Sequence, residues 1–172
     1  MQEQLGRDLV ETAVLRGSFR LRSGATSSYY IDKYLFTTQP DLLRRLARAL
    51  REFVPPHTQR LAGPVLGAVP LVTALALETD LPTLIVRTDK PKDYGTAKAI
   101  EGTLASGDRV MLVEDIVTTG GAALMALQTL REAGAEVLGA VCVVDREEGG
   151  AAAFEQAGVP FQALFTKTSL GL

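Results

Sequence analysis

From Arg60 onward the chain repeats one pattern, in which a short apolar run is followed by a connection and then by a stretch with helical spacing. Leu61-Ala62, Thr83–Arg87, Arg109–Asp115, Glu136–Asp145 and Phe161–Phe165 read as strands. Leu71–Glu78, Gly121–Ala133 and Ala151–Ala157 read as the helices among them. Leu84-Ile85-Val86, Val110–Val113 and Val141–Val144 lack the apolar/polar alternation of a half-solvated strand, as expected where helices cover both faces. Strands alternating with helices predict an α/β fold with a central, mostly parallel sheet flanked by helices.

The first sixty residues read differently. Leu5, Leu9 and Ala13 fall four apart, which predicts a helix over Gln2–Arg16 stopped by Gly17. A second helix, Leu42–Phe53, follows Pro40 with Asp41 placed to cap it. Between them, Phe19–Phe36 is aromatic and β-branched with a turn signal at Ser23-Gly24, so short strands or a hairpin are expected there as an appendage to the main sheet. With 172 residues and no repeat, low-complexity tract or linker, a single domain over 1–172 is expected.

Several chemistries are removed by what the chain lacks. Cys142 is the one cysteine and sits in the apolar run Val137–Val144, so it reads as core, and an intrachain disulfide is excluded. His57, the one histidine, lies beside Pro55-Pro56 and reads as an exposed loop residue, which leaves little for a zinc site or a Ser-His triad. No apolar run approaches the ~20 residues of a membrane span. Met1–Asp8 is polar and mixed in charge, so a soluble, cytoplasmic protein is expected. The 18 basic and 20 acidic residues nearly cancel, which gives no reason to expect nucleic acid or an anionic membrane as partner.

The chemistry concentrates in one stretch. Val110–Val113 is a buried strand, Glu114-Asp115 are acids at its carboxyl end, and Thr118-Thr119-Gly120-Gly121-Ala122 is a small-residue loop that opens a helix. Ligands of open α/β sheets bind at such strand ends. Successive amides at a loop and helix N-terminus bind phosphate, and glycines allow close approach. Two carboxylates beside a phosphate cradle would repel the phosphate unless they faced neutral hydroxyls, and a sugar phosphate satisfies both. Carboxylates bonded to ribose 2′ and 3′ hydroxyls would also stabilise positive charge developing at C1′. There is no GxGxxG for a dinucleotide and no Gly-Lys-Ser/Thr for a P-loop.

Val110–Ala123 resembles the phosphoribosyl diphosphate (PRPP) motif of the type I phosphoribosyltransferases, and nearly the whole chain is similar to the orotate-using branch of that family. The resemblance implies that Glu114, Asp115, Ile116, Val117, Thr118, Thr119, Gly120, Gly121 and Ala122 bind PRPP, with Glu114 and Asp115 catalytic. Four further stretches carry it. Phe19–Gly24 with Ser28–Asp32 is similar to a hood over the base, formed by about residues 1–36, and implies Arg22, Tyr30 and Ile31 as orotate contacts. Ala62–Leu71 is similar to the loop that cradles the diphosphate, here Leu66, Gly67 and Ala68, with Ala68 where glycine is frequent. Arg87–Gly102 is a long, glycine-punctuated, lysine-bearing loop, similar to a lid that reaches the neighbouring subunit's site, and it implies a homodimer with shared active sites. Within it Arg87, Lys90, Lys92 and Tyr94 are implied PRPP contacts and Lys92 is the implied catalytic lysine. Thr88 replaces the lysine of an Arg-Lys pair, a role that Lys90 can take over. Val143–Gly150 ends a strand at Arg146, expected to be exposed, whose guanidinium fork suits the carboxylate of orotate; Thr118 is implied to touch orotate as well.

The resemblance implies transfer of phosphoribose from PRPP to orotate, with Mg²⁺ held mainly by substrate and water rather than by a protein cage. A purine-using member would share the PRPP site without needing the hood or Arg146. A non-catalytic PRPP sensor on this fold is the alternative of another class.

Overall fold

Leu5, Leu9 and Ala13 do line the buried side of a helix, α1 (Gln2–Ala13), but the helix stops three residues short of the expected Arg16. Val14 and Leu15, followed by an arginine and a glycine, instead begin β1 (Val14–Arg20), which pairs antiparallel with β2 (Thr26–Ile31) in a separate two-stranded sheet. The structure, a computed structural model, describes residues 2–20, 24, 26–88 and 98–172. After β2 the chain turns helical: Asp32 caps α2 (Lys33–Thr37) by accepting from the Tyr34 amide at 2.9 Å, so Phe36 is a helical core residue and not part of a strand. Helix α3 (Pro40–Arg51) starts one residue before Asp41, with Gln39 at its N-cap and Pro40 in its first turn. Asp41 therefore does not cap it and meets Arg45 one turn on, at 3.4 Å.

The expected parallel sheet forms from β3 (Arg60–Pro64), β4 (Thr83–Val86), β6 (Arg109–Val117), β7 (Glu136–Asp145) and β8 (Phe161–Thr166). One strand was not anticipated. Residues Ile100–Glu101 form β5, antiparallel to β4 at the edge, and the Arg87 amide donates to Ala99 at 2.8 Å. The sheet order is β5-β4-β3-β6-β7-β8. Helices α4 (Ala68–Thr79), α5 (Gly121–Glu132) and α6 (Gly150–Gln156) make the crossovers, and a short 3-10 helix (Thr168–Leu170) follows β8.

Alternation along the strands sorts two cores. Leu61, Met111, Val113, Val141 and Val143 pack with α1, α3 and α4, whereas Ala62, Val110, Leu112, Ala140 and Cys142 pack with α5 and α6. Cys142 is core and His57 an exposed turn residue, as expected. Among the described residues no helix is long and apolar enough to cross a membrane. Because β3 leads to β4 on one side while β6 leads to β7 on the other, the strand order reverses between β3 and β6, which opens a crevice at their carboxyl ends.

Candidate active site

β6 runs two residues beyond its expected end, through Val117, because Ile116 and Val117 still pair with Val144 and Asp145 of β7. Glu114 and Asp115 are consequently held in a sheet rather than in a loop. Both are buried. Burial first, and the neighbouring Asp115 charge second, push the Glu114 carboxyl up to about 8. The Asp115 amide donates to Glu114 Oε1 at 3.0 Å, and the Ile116 amide donates to Asp115 Oδ1. The other oxygen, Asp115 Oδ2, is buried without a hydrogen bond and faces Lys33 Nζ at 3.2 Å. Burial is the largest single influence and works against the Lys33 ammonium, but the Asp115 carboxylate together with Glu114 and Tyr34 outweighs it and holds the lysine above its ordinary range.

Past Val117, whose side chain is core, Gly120 takes a left-handed φ of 83° that turns the chain into α5, leaving the first amides of that helix without helical partners. Thr118 is half-buried, and Thr119, Gly121 and Ala122 are exposed at this turn. The Gly150 amide donates to Thr118 O at 3.0 Å and the Arg146 amide to Val117 O at 2.8 Å, so the β7–α6 connection braces the loop from beneath. At Gly150 an added Cβ would lie 2.8 Å from Thr118 O, which explains the absence of a side chain there.

Across the crevice, β3 ends at Pro64 and α4 begins earlier than expected, at Ala68, so Leu66-Gly67-Ala68 form a helix N-terminus. Such an end suits an anion. Leu66 is exposed and Ala68 is buried in a helical conformation, so the position needs no glycine. Gly67 is another matter: a Cβ there would overlap Asp115 Oδ2 and lie 2.5 Å from Lys33 Nζ.

Arg146 is placed at the end of β7 as expected, but it is buried, 8% exposed, rather than exposed. Its guanidinium lies 5.4 Å from the Tyr29 ring centroid, and Nη2 meets Glu148 Oε1 at 2.9 Å. Its Nε is buried without an acceptor. Alternation along β2 puts Tyr29 and Ile31 on one side, with Ile31 in the main core; Tyr30, 42% exposed, faces the other way and packs near Phe19 at 5.8 Å. Tyr29 was missed in the sequence, although the period of two that separates it from Tyr30 is the signal that finds it. Lys33 was also missed. Arg87 is paired with Glu101, Nη2 to Oε1, at 3.0 Å. Arg22, Lys90, Lys92 and Tyr94 lie outside the described residues. Among the described residues, no group of three or more His, Cys, Asp or Glu side chains gathers to hold a metal ion.

A buried carboxylate pair, two helix N-termini and a buried arginine thus gather at the carboxyl ends of the central strands, an arrangement chemically suited to an anionic ligand that also carries hydroxyls. Residues 38–154 match the Phosphoribosyl transferase domain family. A relative from Pyrococcus furiosus, named orotate phosphoribosyltransferase, is 51% identical over 162 residues, covering 92% of this chain and 88% of its own. The chain belongs to the orotate phosphoribosyltransferase family. Among solved structures, the orotate phosphoribosyltransferase of Mycobacterium tuberculosis H37Rv in complex with Fe(III) dicitrate superposes with a TM-score of 0.86 at 32% identity, covering 99% of both chains. The same enzyme in complex with PRPP gives 0.82 at 31% identity, again over 99% of both.

The acid pair of this orotate phosphoribosyltransferase family member has a consequence for stability without ligand. A carboxyl raised from 4.5 to about 8 binds more protons folded than unfolded across that window. Stability is therefore fully present below 4.5 and is lost as pH rises toward 8. Glu114→Gln, neutral throughout, is expected to melt at the wild-type temperature near pH 5 and about 5 °C or more above it near pH 8.5. Calorimetric melting across this range, without ligand, checks it; a constant offset would contradict the buried proton.

Proposed function

We infer that the chain transfers the 5-phosphoribosyl group of PRPP to orotate, giving orotidine 5′-phosphate and diphosphate. The supporting observation is the buried pair Glu114/Asp115 leading directly into the Thr118–Ala122 turn at the β3/β6 crevice. In this reading the 5′-phosphate sits on the amides that open α5, the ribose hydroxyls donate to Glu114 and Asp115, and the diphosphate lies at Leu66, Gly67 and Ala68. The C1′–O bond breaks with its electron pair going to diphosphate, orotate N1 forms the new bond to C1′, and the N1 proton is released. Positive charge growing on the ribose is met by the Asp115 carboxylate, and by Glu114 where it is ionised, which in the free protein is above about pH 8. Lys90 and Lys92 meet the leaving group, and Arg146 holds the orotate carboxylate, so most of the acceleration comes from positioning.

Mg²⁺ suits this donor set as a companion of the substrate: it would neutralise diphosphate charge while keeping waters and substrate oxygens as ligands. The protein is proposed to act in the cytoplasm as a homodimer, with the Arg87–Gly102 loop reaching the partner's site, and as a single domain whose first 36 residues or so cover the base. Light scattering at assay concentration tests the dimer, and a monomer with full activity would exclude shared sites.

The activity is tested by offering purified protein PRPP and Mg²⁺ with orotate, uracil, adenine, hypoxanthine or guanine and following nucleotide and diphosphate. Selective conversion of orotate is expected. Conversion of a purine instead would move the chain to another branch of the family, and PRPP binding without turnover of any base would make it a sensor.

A further inference from the structure

We propose that Lys33 is a diphosphate-binding residue, whose ammonium rests on Asp115 and passes to the diphosphate when the ribose hydroxyls take its place on that carboxylate. The proposal rests on the reading of this crevice as a PRPP site and adds a residue to it. Lys33 is the first residue of α2, which ties the hood strand β2 to the crevice. Its backbone is fixed at both sides: Asp32 caps the helix, and Lys33 O accepts from Thr37 Oγ1 at 2.9 Å. The side chain is 35% exposed, against 2% for Asp115, so the lysine can turn while the acid cannot.

Two contacts define where the ammonium stands. On one side is Asp115 Oδ2 at 3.2 Å, a buried oxygen that no hydrogen bond satisfies. On the other is the backbone at Gly67, where a Cβ would lie 2.5 Å from Nζ and 2.7 Å from Cε. Gly67 is the N-cap of α4, so the ammonium borders the helix end suited to an anion. An anion placed there would face the Asp115 charge across a glycine, and Lys33 is the cation between them. Hydroxyls donating to Oδ2 would replace the ammonium as its partner without leaving the acid bare, and the freed lysine needs only to rotate about its end torsions to meet the diphosphate.

The experiment uses inorganic diphosphate, which has neither ribose nor base, titrated calorimetrically at fixed Mg²⁺. In the wild-type background no hydroxyl frees the ammonium, so Lys33→Met is expected to weaken diphosphate binding only a few-fold, and Lys33→Arg to recover that loss. Asp115→Asn is expected to tighten binding several-fold by releasing the ammonium. The decisive pair is therefore Lys33→Met/Asp115→Asn against Asp115→Asn, in which no buried charge is left unpaired and a loss of about tenfold or more is expected. Equal affinity with and without Lys33 in both backgrounds, or weaker binding by Asp115→Asn, overturns the proposal. Wild-type turnover of orotate is assayed in parallel: absence of turnover with Lys33-dependent diphosphate binding would fault the assigned reaction, and turnover without that dependence would fault Lys33.

Discussion

Gly67→Ala is expected to lower kcat/KM for PRPP about 100-fold, the scale on which a displacement of roughly 1 Å in reacting groups acts. The cause is steric, not conformational. Gly67 has φ −64°, which any residue adopts, so an alanine would suit the helix start if there were room. There is none, because the new Cβ would overlap Asp115 Oδ2 and crowd Lys33 Cε at 2.7 Å. Asp115 is fixed by the sheet and by its bond from the Ile116 amide, so the loop and the lysine must move. The damage should be confined to the crevice: overpacking at one methyl costs about 1–3 kcal/mol, which a domain of this size survives as a lowered Tm. Steady-state kinetics with PRPP varied, beside a melting curve, checks both parts. Wild-type kinetics in Gly67→Ala would mean that the loop does not approach Asp115 as described.

Arg146→Ala should strike the other substrate. Arg146 is buried, has the Tyr29 ring centroid 5.4 Å from its guanidinium, and is already engaged by one carboxylate, Glu148, at 2.9 Å, while its Nε has no acceptor. That arrangement has a free donor for a second carboxylate. Removing one member of a buried charge pair costs about 2–5 kcal/mol, so kcat/KM for orotate is expected to fall by about 100-fold or more. The KM for PRPP should change by less than about threefold, because what braces the Thr118 loop is the Arg146 amide rather than its side chain. Arg146→Lys keeps the charge but not the fork and should fall between the two. If PRPP and orotate kinetics deteriorate equally, Arg146 supports the loop and does not recognise the base.

The parallel sheet was legible because strands buried on both faces must be apolar throughout, and Val110–Val113 and Val141–Val144 are. The turn from β6 into α5 was legible for a similar reason: a run of small residues, Thr118–Ala122, directly after an apolar strand marks the opening of a helix. What escaped depends on contacts between distant parts of the chain. Lys33 lies in a stretch whose pattern concerns strands and aromatics, and its meaning comes from Asp115, a partner no local spacing reveals. The two residues of β5 are too short to carry a period, and their place is decided by the free edge of β4. Arg146 looked like a surface residue because it precedes Glu147-Glu148 and Gly149-Gly150; in the fold it is buried, with the Tyr29 ring, from a hairpin distant in sequence, beside its guanidinium.

The most direct test of the site is a crystal structure of the protein soaked with PRPP and Mg²⁺. The ribose hydroxyls should lie within hydrogen-bond distance of Glu114 and Asp115, with the 5′-phosphate on the Thr118–Ala122 amides and the diphosphate against Leu66, Gly67 and Ala68. PRPP bound with its ribose away from the two carboxylates, or with its 5′-phosphate outside that turn, would contradict the account.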